Sequence, residues 1–178
     1  MLKLPVSSFE KKLTFLITGQ GGHRRLDRFM ITVSDPYQWL LPILMFAMVL
    51  IYKNWESGLL ALLTGGVGAG IADVLNTRFI KRRTDRIRPS KQYLDIRSLG
   101  VMNKGRKSFP SNHASNTMAF TLGFGLVFPW TFGIMIPLSL LVGYSRVYCG
   151  AHFPLDVVAG WLHGTVWVLL IHSILYFF

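Results

Sequence analysis

Cysteine and acidic residues are scarce in this sequence. The single cysteine, Cys149, rules out an internal disulfide and a cysteine-based zinc site, and we interpret it as a small apolar residue in a packed helix end. Asp and Glu number 8 against 19 Lys and Arg. They form no cluster, and Asp85 and Asp95 alone do not make a two-metal site. We therefore expect neither a metal nor a cofactor.

Leader and repeat sequences are also lacking. A short apolar stretch at residues 13–17 has no small-residue cleavage site after it, so we expect no secretory signal peptide. No internal repeat and no low-complexity tract interrupts the 178 residues, a length that suits one domain. We predict a single domain over residues 1–178.

The sequence does contain apolar runs and positive charge. Hydrophobic residues make up 51% of the chain, and the formal net charge is +11. In a soluble protein such a charge would suggest nucleic acid, but here the cations stand between long apolar runs. The pattern predicts a membrane protein whose basic residues meet anionic lipid headgroups or phosphate substrates, with no nucleic-acid partner.

The apolar runs predict an all-α fold, a polytopic membrane helix bundle of about five spanning helices. The first span has aromatic residues at both ends, as in interfacial belts, and Pro129 and Trp130 mark a very short turn before the fourth span. Residues 1–35 mix apolar and basic positions around a glycine-rich break, which predicts two short amphipathic helices in the interface. The predicted spans are residues 37–52, 58–80, 113–130, 131–148 and 153–178.

Several small or polar residues lie inside the predicted spans. Gly66 and Gly70 form a small-xxx-small pair, which predicts close packing of the second helix against a neighbour. Asp73 must face the bundle interior, where it would either support a site or hydrogen-bond a neighbouring helix. We interpret His163 and His172 as buried histidines with satisfied hydrogen bonds rather than as ligands.

The topology brings distant residues to one membrane face. With five spans, the second and fourth helices end on the face where the third and fifth helices begin. Residues 81–113 form a basic loop on the same face. The residues that meet there are Lys81, Arg88, His113, Arg146 and His152.

The first of three motif segments on this face is Lys81-x6-Arg88-Pro89. If the second helix continues past the membrane, Lys81 and Arg88 lie two turns apart on one helix face. Pro89 disfavours helical geometry at Arg88, so a turn is expected there. A lysine point charge and an arginine fork suit a phosphoryl group. The other basic residues of the segment are interpreted as a solvated edge near anionic lipid, namely Arg82, Arg83 and Arg86.

The second motif segment, Pro110-Ser111-Asn112-His113, directly precedes an apolar helix. Ser111 or Asn112 can act as the N-cap and leave the next backbone N–H groups free for an anion. His113 then stands in the first turn, placed to give a proton to a departing oxygen. A simple capping turn would explain the serine and asparagine, but not a histidine at a membrane face.

The third motif segment is Ser145-Arg146-x5-His152-x3-Asp156. His152 and Asp156 share a face if the fifth helix begins near Phe153, because they are four residues apart. A carboxylate beside an imidazole fixes its tautomer and stabilises the imidazolium, which leaves one ring nitrogen free to attack phosphorus. A buried His–Asp pair with a structural role is the alternative for this segment taken alone.

Together the three motif segments fix about ten positions in type and spacing, each matched by chance roughly once in twenty. With these residues the sequence resembles the type 2 phosphatidic acid phosphatase family of membrane lipid phosphatases. That family shares its site with vanadium haloperoxidases and acid phosphatases. Its pattern of K-x6-RP, PSGH and SR-x5-H-x3-D is met between residues 81 and 156.

The resemblance implies a role for each motif residue. His152 would be the nucleophile that forms a phosphohistidine, with Asp156 as its partner, and His113 would protonate the leaving oxygen. Asn112 replaces the family glycine; asparagine keeps the backbone N–H and tolerates unusual backbone angles, so we expect its phosphate contact to persist. The residues expected to bind phosphoryl oxygens are Lys81, Arg88, Ser111, Asn112 and Arg146.

These roles predict an integral-membrane phosphatase that hydrolyses a lipid phosphate monoester or pyrophosphate without a metal. The resemblance supplies lipid A 1-phosphate, phosphatidylglycerol phosphate and undecaprenyl pyrophosphate as candidates, and the basic face favours a heavily charged headgroup such as lipid A. A lipid phosphotransferase on the same scaffold has the same motifs. A non-enzymatic lipid-binding or transport protein leaves His113, His152 and Asp156 unexplained, and a haloperoxidase does not suit a small membrane-embedded chain.

Membrane orientation gives two conflicting expectations. The positive-inside rule assigns the face with residues 1–35 and 81–113 to the cytoplasm. Bacterial relatives of this compact type place the site on the periplasmic or outer face. The rule is a weaker guide here, because several of these cations have a catalytic reason to lie on this face. We expect a multi-pass protein of the bacterial inner membrane with its site on the periplasmic or outer face.

Overall fold

The computed structural model describes residues 1–19, 22–100 and 105–177, and within these ranges the regular structure is helical. Two isolated β-bridges, Leu2 with Thr84 and Ile87 with Lys107, are the exceptions. The fold is therefore an all-α bundle, as predicted. The helices are α1 (Ser8–Gly19), α2 (Arg24–Ser34), α3 (Tyr37–Lys53), α4 (Trp55–Leu75), α5 (Lys81–Arg83), α6 (Pro89–Gln92), α7 (Asn112–Val127), α8 (Phe132–Tyr148) and α9 (Pro154–Phe177), with a π-helical turn at Asn76–Ile80 and a 3₁₀ turn at Pro129–Thr131.

Three helical stretches are long and apolar enough to cross a membrane. They agree with the second, fourth and fifth predicted spans, although Phe178 itself lies outside the described residues. A fourth crossing results if α2 and α3, which meet at a bend of 58°, form one broken span. The described ranges thus hold three to four candidate spans rather than five, because α3 has 17 residues and α7 has 16. The three stretches are Trp55–Arg83, Pro129–Tyr148 and Pro154–Phe177.

The central helix of the bundle is α7, which packs against α4, α8 and α9. Every residue of α7 is buried or half-buried. Because its neighbours surround it, α7 needs no fully lipid-exposed face, and a helix shorter than a typical span suits this position. The 3₁₀ turn leads from α7 directly into α8, as Pro129 and Trp130 predict.

Close helix packing occurs at glycines other than the predicted pair. A Cβ atom on Gly66 or Gly70 would meet no atom within 4 Å, so these residues face no neighbouring helix. Gly65 instead lies against α7, and Gly68 lies against α9. The second helix therefore packs closely against its neighbours, as predicted, but not through the predicted pair, because the spacing of small residues does not say which side of a helix faces the bundle.

The start of α7 approaches α9 closely at two further glycines. A Cβ on Gly160 would stand 2.5 Å from the carbonyl oxygen of Ser111, and a Cβ on Gly164 would overlap the carbonyl of Ser115. At this crossing the backbone N–H of Ser111 donates to the carbonyl oxygen of Asp156 at 2.9 Å. Small residues on α9 therefore join the second and third motif segments.

The N-terminal segment forms two short helices, as predicted. Helix α1 contacts α8 and α9, and α2 packs against α8. The buried side of α1 is polar, since its buried residues are Glu10, Thr14 and Thr18. An amphipathic helix that only rested on the membrane would bury apolar residues instead. The polar side of α1 therefore indicates specific contacts with the bundle.

Candidate active site

The connection between α8 and α9 carries His152, and the first turn of α9 carries Asp156. Both are almost completely buried. Nδ1 of His152 lies 3.7 Å from Oδ2 of Asp156, which is an ion-pair distance but longer than a hydrogen bond. The structure therefore places the two residues as the i,i+4 spacing predicts.

Arg88 contacts the other ring nitrogen of His152. Its Nη1 lies 3.1 Å from Nε2 of His152 and donates to the carbonyl oxygen of Ala151 at 2.9 Å. Because a guanidinium can only donate, Nε2 must accept and carries the lone pair. The ring proton of a neutral imidazole is then on Nδ1, which faces Asp156. In this tautomer the lone pair of the ring is on Nε2.

The charge state of His152 follows from its surroundings. Burial lowers the pKa of His152 well below its usual range, and the nearby charges of Arg88, Arg146 and Lys81 lower it further. A histidine side chain is neutral at any pH above its pKa. The imidazole is therefore unprotonated near pH 7, with its lone pair available.

Lys81 and Arg88 do not share one helical face as predicted. The helix that carries Lys81 ends at Arg83, and Arg88 is extended, with φ −64° and ψ 145°. Pro89 accounts for this extended backbone, because proline disfavours the helical region for the residue before it. Lys81 nevertheless interacts electrostatically with Arg88 and with Arg146, so the cations still meet at one point.

Arg146 lies in the last turn of α8 and is 1% exposed. Its Nη1 donates to the backbone carbonyl and the hydroxyl of Ser34 at 3.2 and 3.0 Å. The hydroxyl of Ser145 lies 3.2 Å from the same serine hydroxyl. The C-terminal end of α2 therefore holds Arg146 in place. Sequence reasoning missed Ser34, because an isolated serine in an amphipathic segment gives no signal.

The start of α7 places Ser111 and His113 beside these groups. Ser111 is the N-cap, and its Oγ accepts from the backbone N–H of Ala114 at 3.4 Å. Its hydroxyl proton stays free to donate, since a hydroxyl also has one donor. His113 interacts electrostatically with His152, and its buried Nε2 has no hydrogen-bond partner within the described ranges. That nitrogen is available to a ligand oxygen.

Asn112, the departure from the family pattern, has partners on α4 and the π-helical turn. Its Nδ2 donates to Oδ1 of Asp73 at 2.6 Å and to the hydroxyl of Thr77 at 3.0 Å. Of the two expectations for Asp73, the hydrogen bond to a neighbouring helix is therefore the one observed. Asn112 and Asp73 tie the start of α7 to the end of α4.

Arg86 was placed wrongly by the sequence analysis. It is 2% exposed rather than solvated, whereas Arg82 and Arg83 are exposed as expected. Nη1 of Arg86 donates to Oδ1 of Asp156 at 2.6 Å, and its Nη2 pairs with Glu10 of α1. The spacing of the motif residues gives no indication of either contact. Glu10 was overlooked because it stands among basic residues in a segment interpreted as interfacial.

The remaining titratable residues lie away from this cluster. His163 has two satisfied ring nitrogens, at 3.1 Å from Asn76 and 2.9 Å from Trp167, as predicted. His172 differs from the prediction, since its buried Nδ1 has no partner in the described part of the chain. Cys149 is fully buried, as interpreted. No group of three His, Cys, Asp or Glu side chains in the described residues is arranged to hold a metal ion.

The fold and site define a class: a helical membrane protein with a buried neutral histidine set among cations at one end of the bundle. Residues 58–178 match the PAP2 superfamily, and the chain belongs to that superfamily.

Relatives extend the likeness beyond the matched region. The chain is 28% identical to the lipid A 4'-phosphatase of Porphyromonas gingivalis over 156 residues, 82% of this chain and 64% of that protein. It is 31% identical to phosphatidylglycerophosphatase B of Bacillus subtilis over 155 residues, 79% of this chain and 70% of that protein. The crystal structure of Aquifex aeolicus LpxE has the same fold, with a TM-score of 0.71, 23% identity, and coverage of 97% of this chain and 99% of that one. This chain spans a little under two thirds of the length of the P. gingivalis relative.

Replacing Asn112 by glycine, the residue of the family pattern, is expected to lower thermal stability. Asn112→Gly removes the hydrogen bonds to the half-buried Asp73 and the exposed Thr77, and a hydrogen bond to a carboxylate typically contributes about 1.5–3 kcal/mol. In an Asp73→Ala background the same substitution should cost much less, because the carboxylate is already gone. Thermal unfolding of the four proteins in detergent measures this coupling. Equal losses in both backgrounds would show that the bond contributes nothing.

Proposed function

We propose that the protein is an integral-membrane lipid phosphatase that passes a phosphoryl group first to Nε2 of His152 and then to water. One observation carries the proposal: a neutral, buried imidazole has its Nε2 lone pair directed at Arg88 and its other nitrogen directed at Asp156. Membership of the PAP2 superfamily and the phosphatase activities of the two relatives support the same chemistry.

In the first step, Nε2 of His152 attacks phosphorus. The new P–N bond forms as the P–O bond to the lipid breaks, and the electron pair of that bond goes to the leaving oxygen. His113 gives this oxygen a proton. Phosphoryl transfer depends mostly on positioning and charge stabilisation, which fixed cations and N–H groups supply. The phosphoryl oxygens are bound by Lys81, Arg88, Ser111, the backbone of Asn112, and Arg146.

Arg88 changes partner as the substrate arrives. Arg88 donates to Nε2 of His152 in the structure. An incoming phosphate is a stronger acceptor than a neutral imidazole, so it takes this donor and frees the lone pair for attack. Arg88 thereby holds the nucleophilic tautomer before binding and the phosphoryl group after it.

In the second step, water attacks the phosphohistidine. His113, now unprotonated, accepts a proton from the water as the O–P bond forms, and the P–N bond breaks with its electron pair returning to His152. Asp156 stabilises the cationic imidazole of the intermediate. A lipid phosphotransferase would differ only here, with a lipid hydroxyl in place of water.

We further propose a headgroup with several charges. A groove of about 640 Å³ runs along α2 and has a strongly basic wall. The same helix ends at Ser34, which holds Arg146, and Arg28 lies six residues earlier, about 9 Å along the helix. The groove suits further negative charge on a lipid whose phosphate is at His152. Lining the groove are Arg24, Arg25, Arg28, Phe29 and Thr32.

Purified protein in EDTA is expected to release inorganic phosphate from lipid A 1-phosphate, phosphatidylglycerol phosphate and undecaprenyl pyrophosphate, with the first cleaved fastest. Side-chain cations provide the charge stabilisation, so chelation should not reduce the rate, and vanadate should inhibit by taking a five-coordinate geometry at His152. The His152→Ala variant is the control and should release none. Loss of activity on chelation that magnesium restores would overturn the mechanism. Transfer to a lipid acceptor without free phosphate would favour the phosphotransferase.

His113 and His152 should respond differently to the leaving group. His152→Ala should be inactive on every substrate, because no covalent intermediate forms. General acid catalysis is typically worth about 10²–10⁴-fold, and it helps only when the leaving oxygen is strongly basic. His113→Ala should therefore be severely impaired on a lipid phosphate but much less impaired in phosphoenzyme formation from p-nitrophenyl phosphate.

This comparison needs single-turnover rates, because hydrolysis of the phosphohistidine also uses His113 and can limit steady-state turnover. Wild type measured with both substrates is the reference for each variant. Equal impairment of the first step on both substrates in His113→Ala would mean that His113 binds phosphate or shapes the start of α7. The proton donor would then be another group.

We propose that α3 and α7 also cross the membrane, giving five spans in one domain over residues 1–178. On this proposal α1 and α2 lie at the interface, and residues 81–113 form the active-site loop on the periplasmic or outer face. Part of that loop, residues 101–104, lies outside the described residues. The loop packs against the connection between α8 and α9, since the backbone N–H of Ser90 donates to the carbonyl oxygen of Gly150 at 3.1 Å.

A cysteine at position 94 is expected to react with a membrane-impermeant thiol reagent in intact cells. Leu94 is fully exposed on the active-site loop, so Leu94→Cys presents its thiol to the solvent of that face. Wild type is the matched control, because its Cys149 is buried and burial raises the pKa of that thiol. Labelling only after lysis would place the site in the cytoplasm.

A further inference from the structure

Neither Glu10 nor Arg86 is a fixed position of the three motif segments, yet the two residues complete a buried row of charges that ends beside His152. The guanidinium of Arg86 donates to Oδ1 of Asp156 at 2.6 Å and pairs on its other side with Glu10. Asp156 in turn stands 3.7 Å from Nδ1 of His152. The exposed fractions of Glu10, Arg86 and Asp156 are 6%, 2% and 0%, so solvent screens these charges little.

The same two residues contact the backbone and ring that follow the nucleophile. Oε1 of Glu10 accepts the backbone N–H of Leu155 at 3.1 Å, in the first turn of α9. The guanidinium of Arg86 lies over the ring of Phe153, at 4.9 Å from its centroid. Both positions come within three residues of His152. The row therefore ties α1 to the start of α9 at the catalytic connection.

The net charge of the row accounts for its second carboxylate, Glu10, beside that of Asp156. Asp156 stabilises the imidazolium that forms when His152 attacks phosphorus, and this depends on its negative charge. Arg86 alone would neutralise that charge. Glu10 restores it, because two carboxylates and one guanidinium sum to −1. Arg88 contacts the other ring nitrogen, and its charge together with those of Arg146 and Lys81 disfavours a cationic imidazole.

We infer that Glu10 and Arg86 are positioning residues of the phosphoryl-transfer reaction: Arg86 fixes the carboxylate of Asp156 toward His152, and Glu10 keeps the buried row at a net charge of −1 as the imidazole becomes cationic. This inference rests on the proposed function. Neither residue contacts the phosphoryl group in this mechanism, so both act through Asp156.

Two substitutions of Glu10 separate its charge from its shape. Glu10→Gln keeps the length and an acceptor oxygen for Leu155 but removes the charge, whereas Glu10→Asp keeps the charge and shortens the side chain. With p-nitrophenyl phosphate, Glu10→Gln should slow single-turnover phosphoenzyme formation by about tenfold or more, with little change in KM. Glu10→Asp should be slowed less. A packing role alone predicts the reverse order, because glutamine preserves the shape better.

A double variant tests the charge of the row directly. Glu10→Gln combined with Arg86→Gln leaves only Asp156, and the row again carries −1. Phosphoenzyme formation should recover in part relative to Glu10→Gln alone. A role in packing predicts a further loss, since two buried partners are then missing. The control is Glu56→Gln, an exposed carboxylate in the first turn of α4, which should leave the rate unchanged.

Thermal unfolding of each variant checks that it is folded before its rate is compared. A double variant no faster than Glu10→Gln would overturn the inference. If Glu10→Gln does not fold, Glu10→Asp decides, because a tenfold loss in that charge-retaining variant would also overturn it. A wild type that forms no phosphoenzyme would instead contradict the proposed function.

Discussion

The negative charge of a buried carboxylate must be balanced by hydrogen-bond donors and cations around it. Asp156, which is fully buried, is such a carboxylate. Its Oδ1 accepts from Arg86 at 2.6 Å, and its Oδ2 accepts the backbone N–H of Phe153 at 2.9 Å. Its backbone carbonyl accepts the N–H of Ser111. Removing one partner of a buried charge typically costs about 3–5 kcal/mol, so these contacts hold their positions together. One residue, through its side chain and its backbone carbonyl, thereby sets the relative placement of α7, α9 and the segment before α6.

Arg88 and Arg146 are in the opposite situation, because their hydrogen-bond partners in the described part of the chain are neutral. Arg88 donates to the carbonyl oxygens of Gly105 and Ala151, and Arg146 donates to Ser34. These acceptors satisfy the geometry of the N–H groups without balancing the charge. On the proposed function, a phosphate dianion would supply the missing negative charge at a point where the donors are already oriented. This preorganisation is the physical basis of charge stabilisation in such sites, since no donor must reorient during the reaction.

Sequence spacing predicts those features of the site that depend only on residues close together in the chain. The i,i+4 relation of His152 and Asp156, the N-cap at Ser111, and the extended backbone at Arg88 each depend on a few neighbouring residues, and each is observed. Arg86 and Glu10 are 76 residues apart, and their pairing depends on how α1 packs on the bundle. No local pattern carries that information.

Local sequence patterns also fail to predict which face of a helix packs against its neighbours. Gly65 and Gly68 face the neighbouring helices while Gly66 and Gly70 do not, although the sequence contains both spacings. Lys81 and Arg88 were expected on one helix, but the helix ends at Arg83, and only the tertiary fold brings the two cations together. Periodicity predicts that a helix has a packed side. The rotation of that helix in the bundle decides which side it is.

The partners of the basic residues also bear on membrane orientation. Arg86 and Arg97 pair with carboxylates, and Arg88 and Arg146 are buried against backbone carbonyl oxygens, so these four do not act as free charges near a lipid surface. The positive-inside rule counts Lys and Arg and gives little weight to Asp and Glu, so ion pairing alone does not remove these residues from the count. Their contacts within the bundle do give these four arginines a reason to lie at this face that is independent of membrane orientation. Arg24, Arg25 and Arg28 remain exposed along one groove of α2, where anionic headgroups on either side of the membrane would account for them.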